Sequence, residues 1–145
     1  MRGSFFIHPV LRRFVMDMPE YQHGNALDTR RGHKLFPPSV VKLLPTSEEN
    51  EADFINSPDE VPIKVKFFAT GSSWTWYAMD YDPEHRTFFG LVDGLEKELG
   101  SFSLDELASL VYEDGFMKGH PRVERDLHWK PRTYGELKTQ LGMDS

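Results

Sequence analysis

The chain reads as an α+β domain: an antiparallel meander sheet of four to five strands packed by two or three short helices. Three observations carry that expectation. Ile63 to Ala69, Trp74 to Asp80 and Arg86 to Val92 are β-branched or aromatic runs of strand length. The segments joining them, Thr70-Gly71-Ser72-Ser73 and Asp82-Pro83-Glu84-His85, are short and rich in turn formers, so the runs fold back on one another as hairpins. Directly after them, Ser103-Leu104-Asp105-Glu106 has the spacing of a capping box, in which the serine hydroxyl takes the amide three residues on and the glutamate reaches back.

Taken in order, residues 1–34 contain Gly24, Asn25, Gly32 and Arg30-Arg31 without a sustained period, and are expected to form a basic flexible arm. The arginines near its start do not amount to a transit peptide, because His8 and Pro9 break the apolar pattern. Residues 35–145 are expected to form one domain, since 145 residues divided in two would bury little apolar surface in either half. Pro37 and Pro38 suit a first helical turn and Pro45 a stop, which predicts a short helix between them. Thr46 to Pro62, with six carboxylates, two prolines and few apolar side chains, reads as a solvated connector. After the three strands, Asp93-Gly94 marks a tight turn and Glu98 to Phe102 a fourth strand. The Ser103 helix should run to about Tyr112 with Leu107, Leu110 and Val111 inward. Gly115, Gly119 and Pro121 mark a loop, Arg122 to Leu127 an edge strand, and Thr133 to Leu141 a final helix.

Composition narrows the chemistry. With no cysteine, disulfides, thiolate nucleophiles and thiolate metal sites drop out together, and a reducing, cytoplasmic setting is expected. No run approaches the roughly 20 apolar residues that span a bilayer, so no membrane association is expected. Charge is uneven: residues 1–34 carry net +3 and residues 35–145 net −9, giving the overall −6. An acidic body repels phosphate backbones, so nucleic acid is not the expected partner.

Val65-Lys66-Phe67-Phe68, Trp74-Thr75-Trp76-Tyr77, Phe88-Phe89-Gly90-Leu91-Val92-Asp93-Gly94, Glu98-Leu99-Gly100, Phe102 to Leu107 and Val123-Glu124-Arg125-Asp126-Leu127 occur in one order over roughly Leu35 to Leu141. In that order the chain resembles the small bacterial and mobile-element proteins grouped as domain of unknown function 2958. The resemblance implies fold and boundary, and bacterial, plasmid or phage company. It implies no reaction, cofactor or catalytic residue. The long N-terminal arm and the segment Tyr112 to His120 depart from the family pattern, so a function particular to this chain is expected there.

Several constellations bear on function. Asp80 to His85 begins like a calcium loop but has His85 and Leu91 where an EF-hand needs its glycine and bidentate glutamate, so it reads as a turn with solvated acids. Asp80, Asp93, Glu98, Glu124 and Asp126 lie near strand ends; converging, they would hold a divalent metal and activate water for phosphodiester hydrolysis. Trp74 and Trp76 are expected to share a strand face with Asp80, Thr75, Tyr77 and Met79 facing the other way. Both faces are then apolar or aromatic and need covers, and exposed tryptophans with Lys64, Lys66 and Arg86 would make a platform for single-stranded nucleic acid. No paired metal-ligand histidines, hydrolase elbow or phosphate loop is present in the sequence.

The leading functional expectation is a non-enzymatic, cofactor-free module whose acidic, aromatic-bearing surface engages a protein partner, as an accessory of a phage or mobile element acting on a host protein. Trp74, Trp76, Glu124, Arg125, Asp126 and Trp129 are expected to carry that binding. The metal-dependent phosphoesterase and the single-strand binder are its alternatives.

Overall fold

A computed structural model describes residues 4–5 and 27–143. In chain order its elements are strand β1 (Ser4–Phe5), helix α1 (Asp28–Arg31), α2 (Pro38–Val41), α3 (Ser47–Asn56), β2 (Pro62–Ile63), β3 (Val65–Ala69), β4 (Thr75–Asp82), β5 (Thr87–Asp93), β6 (Lys97–Ser103), α4 (Leu104–Ser109), β7 (Val123–Arg125), β8 (Arg132–Thr133) and α5 (Tyr134–Gln140). The fold is α+β around an antiparallel sheet, as the hairpin pattern requires. Strand order is β6-β5-β4-β3-β7, with β1 lying parallel against the outer edge of β6. A separate two-stranded ribbon pairs β2 with β8. Among the described residues no helix is long and apolar enough to cross a membrane.

Each face of the sheet has its own core. On the first, Phe67, Trp76, Tyr81, Phe88 and Phe102 are closed over by Leu35, Phe36 and Val40 from the segment before α3 and by Leu104 and Leu107 of α4. Phe36 is the keystone, meeting Tyr81 and Phe88 edge-on at 4.8 and 4.9 Å between ring centroids, a favourable aromatic geometry. On the second, Tyr77, Met79, Phe89 and Leu91 are closed over by Val61, Ile63, Tyr134 and Leu137, with Phe54 of α3 and Trp129 half-buried beside them. Gly90 lets the strands approach: a Cβ there would lie 1.8 Å from the Tyr77 carbonyl oxygen.

Three expectations are corrected. The segment Thr46 to Pro62 is no loop, because α3 occupies ten of its residues. A capping box starts this helix: Thr46 Oγ1 accepts the Glu49 N–H, and Glu49 Oε1 accepts the Thr46 N–H at 2.9 Å. Residues 28–34, assigned from sequence to a flexible arm, are tied into the domain. The buried Arg31 guanidinium pairs with Asp28 and donates to the carbonyls of Val123 (2.6 Å) and Ala108 (3.2 Å). Residues 1–3 and 6–26 of the expected arm lie outside the described residues. Finally, the Ser103 helix ends at Ser109, where Leu110 turns extended, so Leu110 and Val111 are only partly buried.

Register explains a fourth correction. Trp76, Ala78 and Tyr81 belong to the first core, yet strict alternation would place Tyr81 opposite to them. A bulge at Met79 supplies the missing step, since Ala78 pairs with Gly90 but Asp80 pairs with Phe89. Asp80 therefore leaves the tryptophan face and joins the α3 side. There it is fully buried, accepting from Asn50 Nδ2 at 3.0 Å and from the Phe89 N–H at 2.9 Å.

Candidate functional site

The β3–β4 and β5–β6 turns emerge at the same end of the sheet, because the strands between them are antiparallel neighbours. At the first turn Ala69 N–H donates to the Trp74 carbonyl at 3.0 Å, and Ser72 Oγ accepts the Trp74 N–H at 3.2 Å, which fixes the backbone that carries the indole. The indole lies over Gly94 of the second turn so closely that a Cβ there would sit 2.2 Å from its ring. It also stacks against Trp76, with centroids 6.0 Å apart. The two rings differ in fate: Trp76 is 2% exposed and belongs to the core, whereas Trp74 is half-buried. The expectation that both tryptophans form a binding surface is corrected for Trp76.

Trp74, Val92, Leu95, Glu96 and Glu98 line a pocket of about 310 Å³. Val92 is buried at its base and Leu95 is 93% exposed at its rim. Glu98 pairs across the sheet with Val92, so it stands on the same face as that side chain, while Lys97 turns the other way to meet Asp93 at 3.9 Å. The carboxylates of Glu96 and Glu98 are exposed and take no partner from the described residues.

Next to the β3–β4 turn stands the hairpin Tyr112 to His120. Its base is closed by Tyr112 N–H to the His120 carbonyl and Gly119 N–H to the Tyr112 carbonyl. Tyr112 Oη lies 2.8 Å from Thr70 Oγ1, and the Arg122 guanidinium covers the tyrosine ring at 4.8 Å. A rigid base thus presents a tip bearing Glu113, Asp114, Phe116 and Met117, with Phe116 wholly exposed. One end of the sheet therefore combines a half-buried indole, two bare apolar tips and four exposed carboxylates.

The other residues expected to bind are engaged elsewhere. Arg125 donates to the carbonyls of Lys34 and Leu35, and its own N–H donates to His33 Nε2 at 3.2 Å, so it clasps the N-terminal segment to β7. Asp126 meets Lys66 at 3.6 Å and accepts the His128 N–H at 2.9 Å. Trp129 donates its indole N–H to the Ile63 carbonyl at 2.9 Å, under the Arg132 guanidinium at 3.9 Å. Glu124 is half-buried opposite Phe68.

The five acids considered as metal ligands are not brought together. Asp80 is buried under α3, and Glu98 stands on the opposite face from Asp93. Asp93 and Glu124 share a row across β5, β4, β3 and β7, three strand spacings or about 14 Å apart. Asp82, Glu84 and His85 do cluster, with ligand atoms within 4.8 Å of one another. Asp82 is occupied there as a turn cap, accepting the N–H groups of Glu84 and His85 and meeting His85 Nδ1 at 2.7 Å. That hydrogen bond raises the pKa of the exposed imidazole.

Sequence reasoning found Trp74 but missed Leu95, Glu96 and Phe116 as individual residues. The available signal was a large apolar residue at the tip of a hairpin, where burial cannot account for it.

The chain belongs to the family described as protein of unknown function (DUF2958), whose model matches residues 35–135. Neither curated proteins nor solved structures give a match.

Proposed function

We propose that the chain is a non-enzymatic binding module that engages a protein partner through the sheet end bearing Trp74, Leu95 and Phe116. The observation that carries this reading is the exposure of Leu95 and Phe116, 93% and 100%, on two ordered hairpins flanking one indole pocket. Large apolar side chains left bare on rigid turns gain most when a partner removes them from water, and tryptophan is a frequent anchor of such contacts. Glu96, Glu98, Glu113 and Asp114 around them repel nucleic acid and favour a basic protein surface. A cytoplasmic setting, and a host protein as partner where the gene travels on a phage or mobile element, complete the proposal.

Affinity capture from a bacterial lysate with the full chain as bait tests it. A partner retained by the wild type and by Glu124→Lys/Asp126→Lys, but lost by Leu95→Asp and by Phe116→Ser, is the expected result. No reproducible partner, or recovery unchanged in the two tip variants, overturns the reading.

A further inference from the structure

We infer that the cleft beside α3 is a second docking site, which receives an extended peptide carrying one acidic and one basic side chain. Two cavities of about 450 and about 230 Å³ share Asp53, Val61 and Pro62, so they run together as one cleft walled by α3, by Lys42 to Pro45 and by the chain around β2. It lies toward the Tyr81 end of β4, where the Pro45 carbonyl accepts the Tyr81 N–H at 3.0 Å, and is separate from the turn that carries Trp74. Its charges are sorted by position. Lys42 and Lys64 line only the larger part and Glu60 only the smaller, with Asp53 at the junction. All four side chains are exposed, and none takes a partner from the described residues. Glu49 also lines the larger part, but its carboxylate is already occupied by the Thr46 cap.

An independent feature marks the same place. Asn50 is 2% exposed and lines the larger part; its amide nitrogen donates to Asp80 at 3.0 Å, while its amide oxygen accepts from no described residue. A nearly buried acceptor gains most from a well-placed donor, and the backbone N–H of an extended peptide is such a donor. The rest of the occupant follows by complement. Leu44, Pro45 and Pro62 suit its apolar stems, the lysines take a carboxylate, and Asp53 with Glu60 take a guanidinium or ammonium. Val61 to Ile63 is extended, so Glu60 and Lys64 stand about 13 Å apart at the usual rise of a strand. That span is too long for one amino acid and matches two charges three or four residues apart on a peptide.

The test uses the ¹⁵N-labelled full chain and capped alanine peptides that carry aspartate and arginine three positions apart, in both orders. One order should shift the Asn50 side-chain amide and the Asp53 and Lys64 backbone amides in a saturable and salt-sensitive way. Changing the peptide's aspartate to asparagine, or its arginine to citrulline, should each weaken binding at least threefold. Lys42→Gln/Lys64→Gln should erase the preference for aspartate and keep that for arginine, and Asp53→Asn/Glu60→Gln should do the reverse; all four positions are exposed, so the thermal midpoint should hold. No saturable shift with either order, equal binding of the uncharged peptides, or binding indifferent to these four side chains overturns the inference. Leu95→Asp and Phe116→Ser should leave peptide binding unchanged, and a loss in either would place the peptide at the other end of the sheet and overturn the assignment. Capture of a partner through Leu95 and Phe116 is a separate result, so either reading falls without the other.

Discussion

The two ends of the central sheet are built on opposite principles. At the β4–β5 end the charged side chains of the turn meet a neighbour, Asp82 with His85 and Arg86 with Asp105, with Glu84 standing exposed beside them. Arg86 holds a left-handed backbone (φ 52°) unusual for a residue with a side chain, its carbonyl accepts the Leu104 N–H at 2.9 Å, and its Nε reaches Asp105, 1% exposed, at 2.8 Å. At the other end Leu95 and Phe116 stand in water and Glu96 and Glu98 have no described partner. The strands are shared, so the sheet itself does not cause the difference. It follows instead from what each turn is asked to hold: one locks a helix start to the sheet, and the other displays side chains. Interactions satisfied within the molecule mark its structure, and the groups left exposed on a rigid support are those on which the proposed binding role rests.

The sharpest way to break that contrast is Arg86→Ala. Removing one partner of a largely buried ion pair takes the guanidinium away from the Asp105 carboxylate at the helix start and is expected to cost about 2–3 kcal/mol. Urea unfolding reads it directly, and a loss below about 1 kcal/mol would mean that the closed end is not locked by this pair.

A smaller effect tests the clasp at Arg125. Burial, with the nearby Arg125 charge, lowers the pKa of His33, whose neutral ring accepts the Arg125 N–H. Stability from this contact is complete above the ordinary histidine value of about 6.5 and is lost as pH falls through the lowered folded value. His85 has the opposite sign, because its raised pKa contributes below the ordinary value and fades as pH rises through the folded one. Wild type should therefore lose more stability between pH 7.5 and 5.5 than His33→Gln does; parallel curves for the two would remove His33 from the clasp.

The smallest change should come from the open end. Leu95→Ser and Phe116→Ser are each expected to shift stability by no more than about 0.5 kcal/mol, as for exposed residues generally. Thermal melts check this, and a large loss would make the tips structural and blur the distinction between the ends.

Much of this architecture was legible because it follows from local rules. Alternating aromatic runs gave the meander, and the capping signature at Ser103 gave one helix; the final helix, expected over Thr133 to Leu141, is present too, and in both the serine or threonine accepts the third amide. Helix α3 carries the same signature at Thr46 but was hidden by its six surrounding carboxylates. Its anchor is a buried polar pair, Asn50 with Asp80, supported by Phe54 alone among large apolar side chains, so a hydrophobic stripe had nothing to report. For the site, alternation tells which side chains share a face but not how far a cover extends along it. That is why Trp74 and Trp76, equivalent in sequence, end half-buried and fully buried. Leu95 and Phe116 are single residues in turns, where no period exists to reveal them.

The extra residue at Met79 has a consequence for how this strand tolerates change. It lets one stretch of backbone serve two masters, feeding rings to one layer up to Ala78 and again at Tyr81 while lending Asp80 to the other. Deleting Met79 would leave Ala78 and Asp80 as successive residues opposite Gly90 and Phe89, so everything downstream would keep its present face and only the contribution of Met79 to the second core would be lost. A one-residue deletion is therefore absorbed at the bulge, whereas in a regularly paired stretch it would turn the following side chains over, a constraint written in counting rather than in side-chain chemistry.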